Sequence, residues 1–181
     1  MKMKMISRPT PSHFGIYVID LKKMAYFYQE VFDLTVTDQG QPEHFKHDLI
    51  FLSASKEQHH QLVLASGRPE SAVFSNVMQI SFMVPHIQYL RDIWTKAEKL
   101  GATNIRGINH LNSLSVYFFD PENNTVEVYI DMPFYVTQPY GDPLDLSMTD
   151  QEILGLTEKK AKMNPGFQKL DQWQNSFEKM K

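Results

Sequence analysis

Two stretches of this chain carry apolar residues at helical spacing, and the two sets stand a constant distance apart. Met24, Phe27, Tyr28, Val31 and Phe32 fall at i, i+3, i+4, i+7 and i+8, the stripe of an amphipathic helix, with Asp20 placed as its N-cap. Leu90, Ile93, Trp94 and Ala97 repeat that spacing in a helix from about Ile87 to Leu100, and Gly101 follows as its stop. Met24 to Leu90, Phe27 to Ile93, Tyr28 to Trp94 and Val31 to Ala97 are each 66 positions apart. An internal repeat of this kind constrains the fold more than any other feature, because each copy has to be built as the same small unit.

The segments around each helix read as strands. Ser12–Asp20 (SHFGIYVID) precedes the first helix, and Leu34–Asp38, Asp48–Ser55 and His59–Ala65 follow it. Val77–Val84 precedes the second, and Asn104–Asn109, Leu114–Phe119 and Thr125–Asp131 follow, the last two joined by the turn Asp120-Pro121-Glu122-Asn123-Asn124. The order β, α, β, β, β therefore occurs twice. It predicts an α+β fold of two tandem βαβββ modules, residues 10–67 and 76–132, whose curved sheets face one another around a central metal cavity, within a domain of residues 1–140. Residues 141–181 are expected to form a C-terminal extension with helices. Its approach, FYVTQPYGDPLDL, is extended and Pro-rich, Thr149 and Glu152 make a capping box for a helix over Gln151–Lys160, and the tail past Asn164 is helical but polar. A cover for the cavity mouth and a subunit contact in a homodimer both fit this tail.

Composition narrows the possible chemistry. With 42% hydrophobic residues the chain can bury a core, and a net charge of −3 with a pI near 6.1 offers no cationic surplus for phosphate, which argues against nucleic acid as a partner and for a small molecule. The absence of cysteine excludes disulfides, thiolate metal sites and thiol nucleophiles, leaving imidazole, carboxylate and amide as metal ligands. The segment Met1–Arg8 alternates Lys and Met and lacks the apolar run of a secretory signal, and no stretch is apolar enough to span a bilayer. A cytoplasmic location with no membrane association is expected.

Applied to the polar residues, the repeat picks out four candidate donors. His13 and Gln79 are 66 positions apart, and one insertion later in the unit would make His60 and Glu127, 67 apart, equivalent as well. Strand alternation then puts Phe14, Ile16 and Val18, with Ile80, Phe82 and Val84, against the helices. The other face carries His13, Gly15 and Tyr17, with Gln79, Ser81 and Met83, joined by His60 with Leu62, Glu127 with Tyr129, and Tyr117 with Ser115 and Phe119. A mononuclear metal site needs donors that are distant in sequence and converge in space, which a repeat delivering two from each half would supply. The ordinary alternative for any one of them is a hydrogen-bonded structural residue. Glu127 lies between Val126 and Val128, where an unpaired carboxylate is costly to bury, and this points to a cation beside it or to its being a protonated acid.

The stretch INHLNSLSVYFFDPENNTVEVYID, Ile108 to Asp131, resembles the signature of type I extradiol ring-cleavage dioxygenases, members with glyoxalase I of the vicinal oxygen chelate superfamily. The matching residues are His110, Val116, Tyr117, Asp120, Pro121 and Glu127, with Asn123 where the signature has Gly or Pro; Asn tolerates the left-handed turn conformation. QHHQLVLA, Gln58–Ala65, resembles the family strand that carries an active-site His, here His60. The resemblance covers roughly residues 10–145.

What the resemblance implies is a metal held by His13, Gln79 and Glu127, with His60, His110 and Tyr117 as catalytic residues. The metal would be Fe(II), with Mn(II) or another divalent ion as the alternative, and the substrates a small aromatic diol of catechol type and O2. His60 would act as base, and His110 and Tyr117 would hydrogen-bond the substrate oxygen. His59 and His86 read as residues behind or outside the site, and His44 and His47 as loop residues. Gln79 departs from the pattern, since ring-cleaving members carry a second His there, and an amide oxygen is a harder and weaker ligand. That departure keeps open a redox-neutral isomerase or lyase of glyoxalase type, and a metal-free small-molecule binding or resistance protein.

Overall fold

Residues 11–177 are described by the computed structural model, so the N-terminal stretch Met1–Arg8 read above lies outside the described residues. The chain divides into two units, Met1–Val73 and Phe74–Lys181.

The first unit runs β1 (Phe14–Val18), α1 (Leu21–Phe32), β2 (Thr35–Gly40), β3 (Leu49–Ser53) and β4 (Leu62–Ser66), in a sheet of order β1-β4-β3-β2. Helix α1 starts where expected, because the Asp20 carboxylate accepts a hydrogen bond from the Lys23 amide at 3.0 Å, and it ends where Asp33 turns left-handed at φ 55°. Its apolar stripe, Met24, Phe27, Tyr28 and Val31, is buried with Ile16, Val18, Leu52, Leu62 and Leu64 as the core of this unit. Each of these large side chains contributes about 1.5–3 kcal/mol of burial free energy.

The second unit repeats the order with β5 (Ile80–Met83), α2 (Ile87–Lys99), β6 (Thr103–Asn109), β7 (Ser113–Phe119) and β8 (Thr125–Asp131). It then continues through β9 (Phe134–Tyr135), β10 (Asp142–Pro143), α3 (Asp150–Met163), β11 (Gln168–Lys169) and α4 (Leu170–Phe177). The sheet order is β10-β6-β7-β8-β5, so the extension lends it an edge strand. Helix α3 opens on the expected capping box, in which Thr149 and Glu152 each satisfy the other's backbone N–H. Among the described residues no helix is long and apolar enough to cross a membrane.

The α+β architecture with two βαβββ repeats is therefore present, but the register corrects one equivalence. Strand β1 pairs in parallel with β4, Phe14 opposite Leu62 and Gly15 opposite Val63, and β5 pairs in parallel with β8, Ile80 opposite Val126 and Ser81 opposite Glu127. Gly15 and Ser81 are the 66-residue equivalents, so the counterpart of Glu127 in the first unit is Val63 and not His60. The cause is local: β4 begins only at Leu62, and His59 and His60 belong to the irregular turn before it. Gln61 builds that turn, its side-chain carbonyl accepting from the Ala54 amide at 2.9 Å and its own amide donating to the Leu52 carbonyl at 2.8 Å. Leu62, expected beside His60, is instead 1% exposed in the core.

Candidate metal centre

Across the face of the second sheet opposite α2, paired positions line up as Ser81, Glu127, Tyr117 and Arg106. The equivalent row of the first sheet is Gly15, Val63, Phe51 and Asp38. The same scaffold thus carries a polar row in one unit and a largely apolar one in the other. Turn chemistry sets the polar row. Asp120 is 1% exposed and accepts the Glu122 and Asn124 amides, each at 2.9 Å, while Asn123 takes the left-handed φ of 63° expected of it. That turn fixes the β7–β8 pairing in which Tyr117 stands directly opposite Glu127.

Glu127 is 8% exposed and is not unpaired, so its burial by itself calls for neither the cation nor the protonated acid expected from the sequence. Oε1 accepts from the Tyr117 hydroxyl at 2.5 Å and the Ser115 hydroxyl at 3.0 Å, and Oε2 from the Gln79 amide at 2.6 Å and the Ser81 hydroxyl at 2.7 Å. A carboxylate presents about four lone-pair directions, and four neutral donors occupy them. Hydrogen bonds to a charged group contribute about 1.5–3 kcal/mol each, so this carboxylate is held without a counter-ion.

Gln79 precedes β5 as His13 precedes β1. A carboxylate only accepts, so the Gln79 amide must turn its nitrogen to Glu127, and its carbonyl oxygen faces the other way. Tyr117 is held far above the ordinary phenol range, first by burial and then by its hydrogen bond to Glu127 and that residue's charge; the Arg106 guanidinium, 5.3 Å from the ring centre, opposes the shift. His110 follows β6, and its Nε2 lies 3.2 Å from the Tyr117 hydroxyl. Tyr117 thus links the imidazole and the carboxylate: it donates its one proton to Glu127, so its oxygen accepts from His110, whose Nε2 carries a proton in this contact.

In the first unit, His13 and His60 meet edge to face with ring centres 4.2 Å apart, and Phe51 lies 5.1 Å from His60. His60 is half-buried and held below the usual imidazole range, first by burial and then by His13 and His59. His59, read from the sequence as a residue outside or behind the site, has a defined role. Its Nε2 lies 2.9 Å from the Asp38 carboxylate and its Nδ1 2.9 Å from Nδ1 of His60. The carboxylate requires a proton on Nε2 of His59, so in the neutral ring Nδ1 is a lone pair and Nδ1 of His60 must donate to it. Nε2 of His60 is then the basic nitrogen. Asp38 escaped the sequence reading because a bulge between Val36 and Asp38 breaks strand alternation there.

Of the six residues singled out from the sequence, the structure groups His13 with His60 in one unit and Gln79, His110 and Tyr117 around Glu127 in the other. Ser81 and Ser115, expected on this face but given no role, supply half of the donors to Glu127. Among the described residues no three His, Asp or Glu side chains are grouped closely enough to hold a metal ion. The donor types do suit one: imidazole, amide oxygen and carboxylate match a hard or borderline divalent ion, and an ion binding Glu127 would replace one of its four present donors.

The model of the glyoxalase/bleomycin resistance protein/dioxygenase superfamily matches residues 10–128. The chain belongs to that superfamily. No match was found among curated proteins. Among solved structures, the fosfomycin resistance protein FosX of Listeria monocytogenes, complexed with Mn(II) and sulfate, aligns with a TM-score of 0.53 and 20% identity over 71% of this chain and 95% of its own. FosX of Mesorhizobium loti aligns with 0.52 and 21% identity over 69% and 92%. A glyoxylase/bleomycin resistance protein/dioxygenase domain of Frankia sp. EAN1pec gives 0.55 and 17% identity over 70% and 100%. At these identities the likeness is one of fold.

Proposed function

We propose that the protein is a metal-dependent, extradiol-type ring-cleaving dioxygenase of a catechol-like aromatic diol, with His13, Gln79 and Glu127 as metal ligands and His60, His110 and Tyr117 as catalytic residues. The observation that carries this reading is the line from His110 Nε2 to the Tyr117 hydroxyl, 3.2 Å, and on to the Glu127 carboxylate, 2.5 Å. It puts two hydrogen-bonding groups beside a candidate ligand in the order the ring-cleavage signature requires. A bound Fe(II) or Mn(II) would acidify the diol and bring it together with O2.

The remaining work falls to the chain. His60, with Nε2 unprotonated, takes a proton from a diol hydroxyl. Asp38 and His59 keep its other nitrogen protonated. Tyr117 stays a phenol and donates to oxygen, and His110 and Tyr117 together hydrogen-bond the substrate oxygen on which charge develops. The test is anaerobic reconstitution with Fe(II) or Mn(II) and a panel of catechols, followed by admission of air. Coupled oxygen uptake and a yellow ring-opened product are expected, and no uptake with any diol would refute the reading.

A second reading, a redox-neutral isomerase or lyase of glyoxalase type, is favoured by Gln79, an amide where ring-cleaving relatives have imidazole. The FosX structure complexed with Mn(II) makes that ion worth testing here. Turnover of an oxygenated substrate without oxygen consumption would select this reading over the first.

A further inference from the structure

We propose that the C-terminal extension is a positioning element of the candidate site: its strap, residues 138–142, fixes the His110 ring with a proton on Nδ1 and keeps Nε2 turned to Tyr117. The proposal rests on the role given to His110 above, and it identifies the residues that set that ring's orientation.

The strap meets His110 on the ring and on the backbone. The Tyr140 carbonyl oxygen lies 2.6 Å from Nδ1 of His110. A carbonyl has only lone pairs to offer, so Nδ1 must carry a proton. Gln138 holds the backbone side of the same turn. Its amide nitrogen donates to the His110 carbonyl at 2.9 Å and to the Asn112 side-chain oxygen at 2.8 Å. Its amide oxygen accepts the Tyr140 N–H at 3.0 Å, so one exposed side chain ties the strap to the turn it orients.

The strap is itself anchored at both ends. Asp142 and Pro143 pair with Asn109 and Ile108 at the open edge of β6, and the Leu144 amide donates to the Gly107 carbonyl at 3.1 Å. Gly107 admits this approach, since a Cβ there would stand 2.4 Å from the Leu144 oxygen. The Tyr140 hydroxyl donates to Asp142 at 2.7 Å, and Lys160 of α3 reaches the same carboxylate at 2.6 Å. Beneath them the Asn109 amide donates to Thr157 of α3 at 2.7 Å, a fully buried contact. Helix α3 therefore holds the strap through Lys160 and the adjoining end of β6 through Thr157, and the strap seats His110 through two more bonds.

The test is the imidazole 15N spectrum of the metal-free full chain, with the His110 signals assigned by their loss in His110→Gln. The wild type is expected to show His110 protonated on Nδ1. Gln138→Ala, at an exposed position, is expected to convert this to a mixture of tautomers, with the other histidines unchanged. Lys160→Met, on the surface of α3, is expected to shift the balance in the same direction by less. A wild-type His110 protonated on Nε2 alone overturns the proposal, as does an unchanged tautomer in both variants. Turnover separates this result from the functional reading. Loss of tautomer with a 10- to 100-fold fall in kcat, roughly the effect of removing an orienting partner from a metal-site residue, supports both. Loss of tautomer with unchanged kcat supports the positioning and contradicts the catalytic role of His110.

Discussion

Replacing Glu127 with Gln separates a carboxylate satisfied by the protein from one that waits for a cation. In the wild type four neutral donors fill the carboxylate, from Tyr117, Ser115, Gln79 and Ser81. Glu127→Gln keeps one acceptor oxygen and puts an NH2 where two of these donors point. Leaving a buried donor unsatisfied costs about 1–3 kcal/mol, and the serine hydroxyls can rotate to accept, so the expected net loss is about 2 kcal/mol. For a chain of this size that lowers Tm by about 4–8 °C. Thermal unfolding of the chelator-treated protein measures it. An unchanged or raised Tm for Glu127→Gln would refute the reasoning, because it would mean that the ionised side chain is a burden without a counter-ion. With Mn(II) or Fe(II) at about a hundredfold over Kd, the wild type should gain about 2.7 kcal/mol and the variant little.

The raised Tyr117 phenol predicts a second result: in the metal-free protein it stays protonated through pH 10, so the stability it contributes is complete below that pH and is lost as the unfolded-state phenol ionises above it. The difference in phenolate absorbance between wild type and Tyr117→Phe should therefore be flat to pH 10, and a rise below pH 10 contradicts the environment described. Asp38→Ala removes the acceptor that orders the His59–His60 pair, and imidazole 15N shifts should show His60 changing from Nδ1-protonated to a mixture; an unchanged His60 would mean that the carboxylate has no part in it. Gly107→Ala forces a Cβ against the Leu144 carbonyl, 2.4 Å away, and should destabilise by about 1–3 kcal/mol in denaturant unfolding. A neutral effect would show that β10 is not seated as described.

The two helices and most strands were legible because a periodicity of 3.6 or 2 spans each of them and a fixed 66-residue separation ties the copies together. The capping residues Asp20 and Thr149 and the left-handed Asn123 also follow from local chemistry and are found in those roles. Where the chain leaves regular structure, the reading fails. Counting along the chain pairs His60 with Glu127, but the turn before β4 contains more residues than its counterpart, and Val63 occupies the equivalent place. The strap was invisible for a related reason: β10 is two residues long, too short for any alternation, and its hold on His110 runs through a backbone carbonyl that no side-chain pattern reports. Ser81 and Ser115 lay on the expected face, yet only the register shows that they point at the same carboxylate.

The central claim is that His13, Gln79 and Glu127 bind one divalent metal, and elemental analysis of protein purified without chelator tests it most directly. One Mn(II) or Fe(II) per chain is expected in the wild type, with loss to background in Glu127→Ala and in His13→Ala. Equal metal content in wild type and Glu127→Ala would contradict the assignment.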